Sequence, residues 1–312
     1  MDTAKSSSQP ILERGHLLTE QANPHSQNLD QLTSIELVDL FNQEDQNVIE
    51  AIAHARYPLA QAIDRIAEAL SQGGRLFYVG AGTSGRLGVL DAAECPPTFC
   101  TPPEMVQGIL AGGNDALIRS SEALEDRGID GADAIADYQV SSSDVVVGIT
   151  AGGTTPYVHG ALNAATDRGA TTIFMTCVPA GQVLLDVDID IRLLVGPEIL
   201  AGSTRLKAGT VTKLALNILS TGAMVKLGKV YGNRMVDVAI TNTKLYDRAL
   251  RILQDLADLD REPAAQLLKA SNNQVKLALL MHWTGTDPEA GRTILQQCNG
   301  QLRRAVQHYQ ND

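Results

Sequence analysis

The run LFYVGAGTSGRLGVLDAAECPPTF, residues 76–99, holds the residue types and spacing that point most directly to chemistry. It reads as a buried strand, a Gly/Ser/Thr loop, a helix, and then a carboxylate, Glu94, set against Pro96 and Pro97. Backbone amides around Gly82, with the hydroxyls of Thr83 and Ser84, can cradle a phosphate at a helix N-terminus. Glu94 stands one helix length further on, at the expected end of an Ala-rich helix. The dipole there disfavours an anion and favours the protonated form that a general acid needs. A phosphate cradle followed by such a carboxyl suits an enzyme that works on a phosphorylated sugar.

Two further loops repeat the hydroxyl chemistry. Residues 150–156, TAGGTTP, place Thr154 and Thr155 before Pro156, which is well suited to a first helical turn. Residues 201–207, AGSTRLK, put Ser203, Thr204, Arg205 and Lys207 at the expected start of a helix. GAGTSG formally matches the dinucleotide fingerprint G-x-G-x-x-G. That fingerprint also wants an acidic residue at the end of the next strand, for the ribose hydroxyls. The next apolar run, 105–110, ends instead in Ala111, Gly112 and Gly113, so a nucleotide is disfavoured. A second acidic group, Glu122, Glu125 and Asp126, falls on a helix expected over 116–126, capped by Asn114 or Asp115. Spacing alone does not select Glu125 among these.

The elements that must hold these groups alternate. Residues 1–32 are polar and read as an extended arm. Thr33 or Ser34 can cap a helical stretch that runs to residue 70 and stops at Gln72, Gly73 and Gly74. Short apolar strands follow at 75–80, 105–110, 144–150, 171–177 and 188–196, with helices between them and a long helix from about 203 to 228. Continuous apolar strands separated by helices imply a parallel sheet covered on both faces. VGAGTSGRLGVL and VGITAGGTTPYV share one layout, and two such loops at neighbouring strand ends converge on one crevice. Beyond 228 the pattern is helical again, over 244–259, 263–271, 273–283 and 287–298, which reads as a small bundle with Trp283 in its core.

The chain has 312 residues, 44% of them hydrophobic, and a net charge of −11. That charge argues against a general binder of nucleic acid or of anionic membranes. Cys95, Cys100, Cys177 and Cys298 lack metal-site spacing, and no resident cofactor or metal is expected. No apolar run reaches the roughly 20 residues of a membrane span, and the first residues lack a signal-peptide core. A cytoplasmic protein is expected.

Several blocks taken together resemble one family: GAGTSGRLG at 80–88, DAAECPPT at 91–98, LAGG at 110–113, EDR at 125–127, TPYV at 155–158, STRLKAGT at 203–210 and GNRMVDV at 232–238. They resemble the bacterial N-acetylmuramic acid 6-phosphate etherases, from about residue 18 to the C-terminal bundle. The resemblance implies an α/β fold: a flavodoxin-like sugar isomerase (SIS) domain, its parallel sheet sandwiched by helices. An N-terminal arm and helices at 1–65, the SIS domain at 66–229 and a UBA-like helical bundle at 244–312 are the expected domains. It also implies a homodimer with active sites near the subunit interface, and cleavage of a lactyl ether on a sugar phosphate. Glu94 and Glu125 fall on the family's two acid/base carboxylates. Gly82, Thr83, Ser84, Thr154, Thr155, Ser203, Thr204, Arg205 and Lys207 are the expected substrate and phosphate contacts. The chain departs from the family's usual pattern at Gly152, where a Ser is common, and at Thr154, where an Arg is common. Arg86, Arg205 and Lys207 are left as candidate cations. A sugar-phosphate isomerase or a non-catalytic sugar-phosphate regulator on the same fold is the alternative.

Overall fold

The computed structural model describes residues 13–119 and 124–311. The N-terminal arm is not extended. It winds through three short 3-10 turns, Leu18–Glu20, Pro24–Ser26 and Leu29–Gln31, and packs onto the body with Leu17 and Thr19 buried. Thr33 then caps α1 (Ser34–His54), its side chain and that of Glu36 forming a reciprocal capping box. Helix α2 (Arg56–Ser71) leads into β1 (Leu76–Gly80), α3 (Gly82–Phe99) and β2 (Val106–Leu110). Next come the single turn α4 (Asp115–Ile118), α5 (Gly128–Asp137), β3 (Val145–Ile149) and α6 (Pro156–Asp167). Strands β4 (Thr171–Thr176) and β5 (Ile189–Arg192) precede α7 (Lys207–Lys226).

The five strands form one parallel sheet in the order β2-β1-β3-β4-β5. Alternate side chains divide the core. Leu76, Tyr78, Val145, Val147, Ile173 and Ile191 pack under α1, α2, α3 and α7, while Phe77, Val79, Val146 and Phe174 pack under α5 and α6. Both faces are covered, as the continuous apolar strands require. In this order β1 and β3 are neighbours whose connections leave on opposite faces, so a crevice opens beyond their C-terminal ends. Gly85 sets how closely α3 approaches β1, because a Cβ there would collide with the Gly80 carbonyl.

Past a small antiparallel ribbon, β6 (Val230–Tyr231) and β7 (Arg234–Met235), the chain forms a bundle with its own apolar core. Its helices are α8 (Thr243–Ala257), α9 (Arg261–Ala270), α10 (Val275–Thr284), α11 (Pro288–Gln297) and α12 (Leu302–Asn311). Trp283 is half-buried against this core and stacks on Tyr231 at 5.2 Å. Helices α5 and α12 are not evident in the sequence. No side chain caps α5, and the aliphatic residues of α12 are confined to Leu302, Ala305 and Val306 in an otherwise largely polar run.

A buried ion pair ties the N-terminal half to α7. Lys207 is 1% exposed, and its Nζ donates to Glu44 Oε2 at 2.5 Å. Glu44 also takes Asn23 Nδ2 at 2.7 Å and His25 Nδ1 at 2.7 Å. Burial alone would push the Glu44 carboxyl up, but the hydrogen bonds from Lys207, His25 and Asn23 outweigh it and hold the group at about 2. A carboxyl lowered on folding contributes stability that is full above its unfolded value and lost as pH falls towards the folded one. This contribution should therefore fade between the ordinary 4.5 and about 2. Glu44→Ala leaves a buried ammonium without its counter-charge and should cost about 3–5 kcal/mol in urea unfolding at neutral pH. The acid-dependent loss should shrink in the same variant. An unchanged midpoint would refute the anchoring role.

Candidate active site

A cavity of about 380 Å³ fills the crevice at the β1/β3 switch point. One wall is the start of α3, with Gly82, Thr83 and Ser84. No side chain caps that helix, so its first amides face the cavity without an internal acceptor. The opposite wall is the loop after β3, including Thr154 and Thr155. That loop is stiff: Thr176 Oγ1 and the Cys177 amide both donate to the Ala151 carbonyl, and His159 Nε2 meets the Gly153 carbonyl at 2.6 Å. Thr150 and Thr155 share a hydroxyl hydrogen bond of 2.7 Å. Thr204 and Gly202 complete the rim from the segment before α7.

Glu125 also lines this cavity. It does not lie on the helix expected over 116–126: α4 stops at Ile118, and Glu125 sits in a turn just before α5. Its backbone carbonyl accepts from the Tyr157 amide at 3.0 Å, which pins the turn to the first turn of α6. Glu122, grouped with it by sequence, lies outside the described residues.

Glu94 is elsewhere. Helix α3 continues past it through Pro96 and Pro97 to Phe99 and ends at Cys100 in the left-handed region, so Glu94 is not a helix-terminal residue. Ten residues separate Ser84 from Glu94, which at 1.5 Å per residue is about 15 Å along the helix. Glu94 is exposed and lines a separate cavity of about 300 Å³ with Leu90, Asp91, Lys213 and Asn217. Burial pushes the Asp91 carboxyl up, against the hydroxyl of Ser220, which donates to it at 3.2 Å. Asp91 is visible in the sequence only as part of a motif.

The third loop behaves differently from the other two. Helix α7 begins at Lys207, not near Ser203, and its first amides are taken: the buried Glu198 carboxylate accepts from Lys207 N and Ala208 N, both at 2.9 Å. Burial raises the Glu198 carboxyl above its ordinary value. This helix N-terminus therefore holds its own anion, and nothing in the sequence pattern singles out Glu198 as that cap. Lys207 points into the Glu44 pair and away from the crevice. Ser203 and Arg205 flank the rim without lining the cavity. Arg86 is spent on chain carbonyls, with Nε donating to Ala116 O at 2.9 Å, and it clamps α4. Among the described residues the cation that lines the cavity is Arg14, which comes from the N-terminal segment and carries no signal in the sequence pattern. No group of three or more His, Cys, Asp or Glu among the described residues could hold a metal ion.

A family model for the N-terminal SIS domain of glucokinase regulatory protein matches residues 58–166, and one for the C-terminal lid domain of that protein matches residues 232–298. An N-acetylmuramic acid 6-phosphate etherase of Crocosphaera subtropica is 72% identical over 301 residues, covering 96% of this chain and 99% of that protein. The chain belongs to the N-acetylmuramic acid 6-phosphate etherases. The etherase of a Synechocystis species is 71% identical over 294 residues, 94% of this chain and 96% of that protein. Among solved structures, a phosphoheptose isomerase from Neisseria gonorrhoeae has a TM-score of 0.46 at 18% identity, over 60% of this chain and 96% of that one.

Gly152 is one of the two positions where a departure from the family pattern is expected, and the structure shows what stands opposite it. A Cβ at Gly152 would lie 3.5 Å from Thr19 Oγ1, an ordinary contact. That hydroxyl is buried with no hydrogen-bond partner among the described residues. Gly152 is not in the left-handed region, so a side chain is allowed there. Gly152→Ser should satisfy the Thr19 hydroxyl and stiffen the unfolded chain, raising stability by about 1 kcal/mol. Differential scanning calorimetry checks this, and a lowered melting temperature would refute it.

Proposed function

We infer that this chain cleaves the D-lactyl ether of N-acetylmuramic acid 6-phosphate, consuming water and yielding N-acetylglucosamine 6-phosphate and D-lactate. The observation that carries the reading is a stiff, hydroxyl-lined phosphate cradle with a carboxylate, Glu125, on its rim, in a chain 72% identical to an etherase over nearly its full length. This is carbon–oxygen lyase chemistry of cell-wall amino-sugar recycling. The phosphate sits at the start of α3, where the first amides and the hydroxyls of Thr83 and Ser84 converge. Thr154, Thr155 and Thr204 extend the hydroxyl surface around it.

The reaction follows from carbonyl chemistry. Ring opening exposes an aldehyde at C1, which acidifies the C2 proton. A base removes that proton, and an acid protonates the departing lactate oxygen at C3. Water then adds to the unsaturated aldehyde with the proton transfers reversed. Two carboxyl groups serve both halves. Glu94 is assigned the protonation of lactate, and Glu125 is its partner acid/base.

One chain does not bring the two together. Five bonds separate the phosphorus from C3, at most roughly 7 Å with bonds of about 1.5 Å. A substrate anchored at Ser84 therefore falls short of a carboxylate about 15 Å down the same rigid helix. The acting unit is accordingly a homodimer in which a second copy supplies Glu94. Its exposure, beside the half-exposed Leu90, suits that role. A cytoplasmic setting goes with this substrate, and no described helix is long and apolar enough to cross a membrane.

A sensor would bind the sugar phosphate without releasing lactate, and an isomerase would convert an aldose to a ketose. D-lactate release from N-acetylmuramic acid 6-phosphate separates the etherase from both. Glu94→Gln and Glu125→Gln should each lower the rate about 10²–10⁴-fold. Mixing the two inactive variants and allowing subunits to exchange should restore about a quarter of wild-type activity, since half the dimers are mixed and each holds one intact site. Loss in both variants with no recovery on mixing would place both carboxylates in one chain and refute the shared site.

A further inference from the structure

The substrate carries two anions, a phosphate and the carboxylate of its lactyl arm. The phosphate cradle described above is built from amides and hydroxyls, with no lysine or arginine among its described residues. Arg14 lines the same cavity. Its Nη2 stands 3.7 Å from Asp126 Oδ1, so the guanidinium lies at the end of the crevice where Glu125 is. Both members of that pair are well exposed, at 43% and 63%, and such a contact is worth little in water. It leaves the guanidinium able to turn to a better partner.

The backbone behind Arg14 is held firmly. The Leu17 amide donates to the Arg14 carbonyl at 2.9 Å, and the Leu17 side chain is 1% exposed. The Leu18 amide donates to Gln182 Oε1 at 2.9 Å, and Gln182 Nε2 returns a hydrogen bond to His16 O at 2.9 Å. The Gly202 amide donates to Thr19 O at 3.2 Å. A residue whose neighbours are tied down across the crevice is placed to recognise a ligand.

We propose that Arg14 binds the carboxylate of the lactyl arm and so separates the lactyl ether substrate from sugar phosphates that lack it. This rests on the assignment of Glu125 to the reacting end of the sugar. If Glu125 works at C2 and C3, the group on the C3 oxygen lies at that end, and the phosphate lies at the start of α3. A guanidinium matches a carboxylate with two parallel hydrogen bonds, which an ammonium cannot reproduce. Arg14 thereby supplies the cation that Thr154 does not, from a different part of the chain and for a different anion.

The test compares two ligands that differ by the lactyl arm. In Arg14→Met the KM for N-acetylmuramic acid 6-phosphate should rise about tenfold or more, while the inhibition constant of N-acetylglucosamine 6-phosphate should move by less than about twofold. Arg14→Lys should recover only part of the loss. Equal weakening of both ligands would assign Arg14 to the phosphate or to the frame, and no weakening of either would remove it from the site; each overturns the proposal. Lys213→Met tests the cation that lines the cavity of Glu94, and a substrate-selective loss there but not in Arg14→Met would move the role to Lys213. Wild-type turnover that survives Glu125→Gln would refute the assignment of Glu125 instead. In that case calorimetric binding of the same two sugar phosphates to wild type and Arg14→Met still decides whether Arg14 reads the carboxylate.

Discussion

A lysine ammonium with 1% exposure has to be neutralised where it stands, and that requirement organises one side of this molecule. Glu44 answers it from α1, and Asn23 and His25 use the remaining lone pairs of the same carboxylate. The first turn of α7, the middle of α1 and the N-terminal segment therefore converge on one point. The consequence reaches the crevice because Gly202 and Thr204 lie just before α7 and the Leu17–Glu20 turn lies just before Asn23. Their approach to the two sheet loops is fixed by a charge pair that does not line the cavity.

An acidic protein that binds a doubly anionic sugar has to separate two kinds of recognition. Helices α3 and α7 both begin beside the crevice, yet only α3 is left open at its N-terminus. Helix α7 carries its own anion, the carboxylate of Glu198. The start of α3 offers neutral donors held in place by the sheet, which add little charge to desolvate. Among the described residues, the full positive charge lining the crevice is that of Arg14.

The α/β texture, the parallel sheet and the pairing of the first two loops can be read from the chain because they rest on local signals. Those signals are apolar strands, glycine-rich turns and Pro156 in a first turn. Glu125 is singled out by its motif and lines the cavity, although the helix expected around it is a turn. Three features cannot be read, and each depends on distant partners. Lys207 looks like a phosphate ligand in AGSTRLK, but Glu44, 163 residues away, takes it. Arg86 stands in the phosphate loop, yet the carbonyls around 116–119 claim it. Arg14 sits in a polar run without periodicity, and only the fold of residues 182 and 202 around it reveals its place. The extent of α3 escapes the sequence for another reason: a proline pair ordinarily ends a helix, but here the packing of Cys95 and Phe99 in the core carries the backbone through.

The segment around Arg14 also has a place in time. It leaves the ribosome well ahead of Gln182 and Gly202, which hold it and are made more than half a chain later. Domains fold as they emerge, and contacts of such long sequence separation close late. The sheet and its two loops can be in place before the crevice acquires its rim arginine. A nascent chain would then hold a phosphate cradle with nothing yet to tell one sugar phosphate from another.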